Sequence, residues 1–325
     1  MSKFLISLRF KTRFLWLVVM CFMVAGCATQ QITAVSDIEA RAGAISVPYS
    51  ISSSGRILID VSVDDGPIRS LALDTGATIS VLYKDFAETA NLNVSEKTRF
   101  VRGLVGQGER PVIEDVTFHI GPQGFQMDQL IMLDTPLIKD EAIGLIGADL
   151  LALYVTLFNK ETLTATFIPR QTIEPAAFRG WNRIPLETFT DADTNSRLYF
   201  ANMDLNRLDI PVLIDTGSNF SFINWKLARM DTDVRRLERN LIRNGTLQGA
   251  LDSTSLTRVT VFHDLQLGKQ TWDKVGVVIM GLDALDTVAP VDEPMMVAGA
   301  KVFAPHTIAF DLGGRNLYVK PDTKR

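Results

Sequence analysis

The tripeptide Asp-Thr-Gly occurs twice in this chain, at Asp74-Thr75-Gly76 and Asp215-Thr216-Gly217, 141 residues apart. Each copy ends a β-like apolar run, Leu71-Ala72-Leu73 before the first and Val212-Leu213-Ile214 before the second. Self-similarity at a fixed spacing is the mark of one structural unit written twice, and the surroundings repeat as well. Upstream, Arg56 to Val63, a turn at Asp64-Asp65-Gly66 and Ile68 to Leu73 are answered by Arg197 to Asp204, a turn near Asn206 and Ile210 to Ile214. Downstream, Val116-Thr117-Phe118 with Gly121 and Phe125 is answered by Val259-Thr260-Val261 with Gly268 and Trp272, leading into Leu130 to Leu133 and Val277 to Met280. Gly147 followed by Phe158 is answered by Gly299 followed by Phe310.

Short β-branched and aromatic runs broken by Gly, Asp and Asn make both units mostly β. Helical pattern is confined to Lys84 to Ala90 and Asn224 to Met230, each just after an Asp-Thr-Gly strand. Pro169, Pro175 and Gly180 interrupt any period between the units. The expected organisation is a first lobe over 45–168, a linker over 169–181 and a second lobe over 182–323.

The amino terminus has a different character. Lys3, Arg9, Lys11 and Arg13 precede an apolar run from Phe14 to Gly26, and Cys27 follows. That is the order of a secretory signal, and its 13 apolar residues fall short of the roughly 20 that a spanning helix needs. An uncleaved signal anchor is the alternative. Val24-Ala25-Gly26-Cys27 resembles a bacterial lipobox, which implies a signal peptide over 1–26, lipidation of Cys27 and, with Ala28 rather than an aspartate next, the outer membrane facing the periplasm. Residues 27–44 then read as lipidated cysteine and tether, with a reach of about 20–25 Å. Removing the signal takes the formal net charge from −4 to −8 and removes Cys21, so with Cys27 lipidated no thiol remains for a disulfide or metal.

With 33 basic against 37 acidic residues and no basic block in the body, the footprint of a nucleic-acid binder is missing. His119, His263 and His306 are scattered and lack zinc-ligand spacing. Neither a Gly-x-Ser-x-Gly elbow nor a phosphate-binding Gly-Lys-Ser/Thr loop occurs. No metal and no cofactor is expected.

Paired carboxylates can hydrolyse an amide by themselves. Like charges at roughly 3 Å cannot both ionise, so one carboxylate takes a proton from water while its protonated partner hydrogen-bonds the carbonyl oxygen. A duplicated unit places the same aspartate face to face across a pseudo-twofold axis. Leu73-Asp74-Thr75-Gly76-Ala77-Thr78 resembles the active-site turn of retropepsins, and Ile214-Asp215-Thr216-Gly217-Ser218 that of pepsin-like and retropepsin-like aspartic peptidases. Leu145-Ile146-Gly147-Ala148-Asp149-Leu150 is similar to the segment that supports the catalytic turn in that family. The resemblance implies two tandem retropepsin-like β-barrel lobes, a catalytic pair Asp74 and Asp215, and an interlobe lock of Thr75 and Thr216 within turns completed by Gly76, Ala77, Gly217 and Ser218. It also implies supporting glycines at Gly147 and, in the second lobe, at Gly299 in preference to Gly281 of Met280-Gly281-Leu282-Asp283.

Gly103, Gly106 and Gly108 mark a candidate flap, with Asn244 to Gly249 as its counterpart. Neither holds the tyrosine of the pepsin flap. Ser218 can offer Asp215 a hydroxyl that Ala77 cannot offer Asp74, so Asp74 is expected to hold the shared proton; in the family, alanine there goes with activity nearer neutral pH. The function expected is an aspartic endopeptidase, monomeric through intramolecular lobe pairing, acting on a peptide or protein substrate. The rivals are a non-catalytic lipoprotein that binds peptides or a partner in the same cleft, and a peptidase that needs processing or a regulator.

Overall fold

The computed structural model describes residues 32–103, 107–136, 141–190, 196–205, 207–230, 244–248, 254–282 and 293–322, with side chains of 244–248 and 254–258 excepted. The segment expected to be a signal peptide, 1–26, with Cys21, and the expected lipidation site Cys27 lie outside the described residues. The protein is mostly β, as its composition and short runs lead one to expect.

Two sets of strands follow the same order. In the first half, Ile57–Val63, Ile68–Leu73, Ala142–Ile146, Val81–Tyr83, Gln123–Leu133, Gln107–Ile120 and Val94–Arg102 neighbour one another in that sequence. Ser62 and Val63 pair back onto His119 and Phe118, which closes six of these strands into a barrel. In the second half the order is Arg197–Leu205, Leu208–Asp215, Met296–Gly299, Ser221–Ile223, Val275–Ile279, Thr254–Phe262 and Asn244–Gln248. Each strand occupies the place of its sequence counterpart. In both halves the strand that ends at the Asp-Thr-Gly turn runs parallel to the one that leads into the supporting glycine, Leu73 beside Ile146 and Asp215 beside Gly299.

The halves share a third set. Tyr154–Asn159 pairs antiparallel with Ile308–Asp311, Phe158 opposite Ile308 and Thr156 opposite Phe310. Thr164–Pro169 and Ile45–Ile51 extend this layer on one side, and Asn316–Val319 and Asn182–Pro185 on the other. The terminal hairpins of the two repeats are thus strands of one sheet. The Phe158 and Phe310 rings, 5.7 Å apart and edge-on, pack between them.

Residues 32–44 correct the tether expected there. Val35–Glu39 is a short helix that buries Val35 and Ile38 against Ile168, Phe178 and Trp181. Thr33 N donates to Arg179 O at 2.9 Å, and Trp181 Nε1 donates to Thr33 O at 3.1 Å. Two apolar side chains three apart supply the one-sided stripe that so short a helix needs to dock, which leaves 28–31 as the remaining span of the proposed tether. The segment expected as a linker is likewise packed: Ile173, Ala177, Phe178 and Trp181 are buried, and the Phe178 and Tyr318 rings stack at 4.1 Å. Ile38 is 0% exposed, so Ile38→Ala should cost about 2–5 kcal/mol in chemical denaturation. A free tether would give a change within about 0.5 kcal/mol.

Candidate active site

Asp74 immediately follows Ile68–Leu73 and Asp215 ends Leu208–Asp215, and each is only 7% exposed. The two turns meet through reciprocal bonds. Thr75 Oγ1 donates to Ile214 O at 2.8 Å, and Thr216 Oγ1 donates to Leu73 O at 2.7 Å. Thr75 N donates to Thr216 Oγ1 and Thr216 N to Thr75 Oγ1, both at 3.1 Å. Each hydroxyl therefore accepts from one backbone amide and donates to one carbonyl of the opposite half. A side chain that only donates or only accepts could not replace it.

The glycines allow the close approach. A Cβ on Gly76 would stand 2.6 Å from Asp215 Cγ, and one on Gly217 would overlap the Asp74 carboxyl. Each carboxyl thus lies against the other turn's glycine, and the two hydrogen-bond one another. Asp74 Oδ1 also accepts from Gly76 N and Ala77 N at 2.8 and 2.9 Å, and Asp215 Oδ1 from Ser218 N at 3.0 Å.

A second ring of contacts fixes the turns from below. Ala148 N donates to Ala77 O at 2.7 Å and Gly147 N to Ser80 Oγ at 2.9 Å. Their counterparts are Ala300 N to Ser218 O at 2.9 Å and Gly299 N to Ser221 Oγ at 3.0 Å. The structure places Gly299 beneath the second turn, whereas Met280-Gly281 follows Val275–Ile279 and bonds Ile223 O through Met280 N. A Cβ on Gly147 would lie 2.8 Å from Ile79 C, and one on Gly299 2.6 Å from Phe220 C.

The halves differ at the next position. Asp149 accepts from Ser80 Oγ at 2.7 Å and Ser80 N at 2.9 Å, while Lys301 stands at the corresponding place with its ammonium 4.9 Å over the Phe220 ring. Ser80 and Ser221 were not anticipated as support residues, although they hold the same place after each Asp-Thr-Gly.

The hydroxyl on which the expected proton assignment rested is directed elsewhere. Ser218 Oγ donates to Phe220 O at 2.9 Å and so is turned away from Asp215. Burial and the Asp74 charge push the Asp215 carboxyl well above its ordinary range, against the Ser218 and Gly217 amides. Asp74 is raised by burial too, but the Ala77 and Gly76 amides and the Arg56 guanidinium pull it down. Of the two, Asp215 is raised further, the direction that favours the shared proton on it. A folded pKa above the unfolded one gives stability that is complete below the ordinary carboxylate range and is lost as pH rises through the raised value. Thermal midpoints of the wild type should thus fall over that interval. Asp215→Asn, which cannot ionise, should flatten the fall and raise the midpoint at neutral pH by a few degrees; an unchanged slope would count against the assignment.

Of the candidate flap glycines, Gly103 follows Val94–Arg102, Gly108 pairs with Val101 in the hairpin, and Gly106 lies outside the described residues. Asn244–Gln248 pairs with Thr254–Phe262 at the matching edge of the second half, and Gly249 lies outside the described residues. Among the described residues no group of His, Cys, Asp and Glu is placed to hold a metal.

Residues 59–150 match the family model described as aspartyl protease. The match includes Asp74-Thr75-Gly76 and the Gly147 support. Among solved structures, basic 7S globulin from soybean aligns with a TM-score of 0.47 at 11% identity, covering 85% of this chain and 94% of that one. Conglutin gamma, a unique basic 7S globulin from lupine seeds, aligns with a TM-score of 0.49 at 10% identity over 85% and 94%. No curated protein matches the sequence.

Proposed function

We propose that this protein is an aspartic endopeptidase in which Asp74 and Asp215 activate water to cleave peptide bonds. The observation that carries the reading is the pair of buried carboxyls, hydrogen-bonded to each other and locked by Thr75 and Thr216. The aspartyl-protease match over 59–150 supports it from the first half, and the symmetric partner turn supplies the second carboxyl.

In this mechanism ionised Asp74 takes a proton from the attacking water as its oxygen bonds the scissile carbonyl carbon. Asp215 donates its proton to the carbonyl oxygen, which gives a neutral tetrahedral diol. The proton now on Asp74 passes to the leaving nitrogen as the C–N bond breaks, and a diol hydroxyl proton returns to Asp215 as the new carboxyl forms. Protons and charge balance over the cycle. Activity needs Asp74 ionised and Asp215 protonated, so kcat/KM follows a bell in pH whose acid limb belongs to Asp74 and whose basic limb belongs to Asp215. Both limbs lie above the ordinary carboxylate range because burial raises both groups. The substrate lies extended between the halves, held by backbone bonds as an added strand.

The lipobox at Val24 to Cys27 supports attachment of this body to the outer membrane on the periplasmic side. Mapping of periplasmic protein termini in cells carrying wild type or Asp74→Asn tests the proposal in place. A set of new termini present only with wild type is the expected result, and identical termini would contradict it.

A further inference from the structure

The two carboxyls sit in matching turns but face unlike neighbours. In the first half Leu58 pairs with Ala72, and the same antiparallel register continued by two residues sets Arg56 against Asp74. In the second half Phe200 pairs with Leu213, and the same continuation sets Leu198 against Asp215. Side chains two apart on a strand share a face. Arg56 immediately precedes Ile57–Val63 and Asp74 immediately follows Ile68–Leu73, and Arg56 Nη1 reaches the hydroxyl of Tyr83, which belongs with Leu58 and Ala72 to one apolar cluster of the first half. Leu198 and Asp215 continue the corresponding face of Phe200, Leu213 and Val297. The Arg56 charge acts on Asp74, whereas the corresponding place in the second half is held by the apolar Leu198.

Arg56 and Leu198 are equally buried, each 8% exposed. The arginine is anchored at both ends. Arg56 N donates to Ser52 Oγ at 3.0 Å and Arg56 O accepts from Ser52 N at 2.9 Å, while Nη1 donates to the Tyr83 hydroxyl at 3.3 Å. A buried, delocalised cation that cannot lose its proton is a fixed source of field.

We infer that Arg56 is the positioning residue that breaks the symmetry of the pair, keeping Asp74 as the carboxylate and leaving the proton on Asp215. The inference rests on the dyad reading and adds what decides the roles within it. The charges that act on Asp74 are those of Arg56 and Asp215, and the charge that acts on Asp215 is that of Asp74. Lys301 packs its chain against Gly55 but holds its ammonium over Phe220, and Asp149 is committed to Ser80 below the turn. Arg56 thus adds a fixed charge to the turn amides of Ala77 and Gly76, which also lower Asp74.

The test compares wild type, Arg56→Gln, Arg56→Met and Arg56→Lys. Glutamine keeps a donor for Tyr83 without the charge, methionine matches the apolar second half, and lysine keeps the charge. The acid limb of kcat/KM against pH is expected to move up by about one unit or more in the glutamine and methionine variants and to stay near wild type with lysine. Carboxyl-carbon titration of isotopically labelled aspartate, which needs no substrate, is expected to show the lower of the pair's two apparent pKa values rising by the same amount. A folded glutamine or methionine variant with an unmoved acid limb and an unmoved titration overturns the inference. Absence of cleavage by wild type would overturn the peptidase reading instead, and the titration would still decide the role of Arg56.

Discussion

Asp74→Asn and Asp215→Asn will each lower kcat/KM for peptide hydrolysis by about 10⁴-fold or more, and the double variant will lose little beyond either single one. An asparagine fits the space of the aspartate, so the four threonine bonds and the turn amides can remain. What disappears is the ability to take or give a proton. Groups that work as one unit fail together, which makes their losses non-additive. Two separate stability defects would add, and an additive double variant would therefore argue that the carboxyls act apart. Thermal unfolding of the same proteins provides the control, since Asp215→Asn should be at least as stable as wild type at neutral pH while its activity is gone. That combination distinguishes a chemical role from a structural one.

Thr75→Val and Thr216→Val are the substitutions expected to damage the fold most at the centre. Valine preserves the branched shape and removes only the hydroxyl. For Thr75 this strands Ile214 O and Thr216 N, and for Thr216 it strands Leu73 O and Thr75 N, where the two threonines are 2% and 1% exposed. Each unpaired buried group costs about 1–3 kcal/mol, so each variant should lose about 2–5 kcal/mol in urea or guanidinium unfolding. The two hydroxyls make separate bonds, two each, so the double variant should strand all four groups and lose more than either single one. A loss below about 1 kcal/mol for either single variant would mean that the halves are held by the shared sheet alone.

The repeat made much of this architecture legible in the sequence. The matched runs around Asp74 and Asp215 anticipate two halves with one strand plan, and the place of Gly299 follows from aligning Gly147 and Phe158 with Gly299 and Phe310. Local likeness alone would have chosen Gly281, because Met280-Gly281-Leu282-Asp283 resembles the first support segment. Pairings that join distant parts of the chain leave no periodic trace. Nothing in Tyr154–Asn159 or Ile308–Asp311 taken separately says that they pair with each other. Val35 and Ile38 are too few to mark a docked helix until Phe178 and Trp181 are seen beneath them.

The expected role of Ser218 was not legible for a similar reason. Ser218 and Ala77 differ at the obvious position, yet the serine hydroxyl is drawn to Phe220 O two residues on. The difference that matters is between Arg56 and Leu198, which are remote in sequence from the aspartates they face and become their neighbours only through strand register. Ser80 and Asp149 are 69 residues apart and form a support that no motif spacing suggests.

The central claim is that the two buried carboxyls hydrolyse peptides with water as the nucleophile. It is tested most directly by incubating the protein with a peptide library in ¹⁸O-labelled water from about pH 3 to about pH 8 and reading the products by mass spectrometry. The expected result is cleavage with one ¹⁸O in the new carboxyl terminus after a single turnover, and none of either with Asp74→Asn. Intact peptides across that range, or cleavage that Asp74→Asn leaves unchanged, would contradict it.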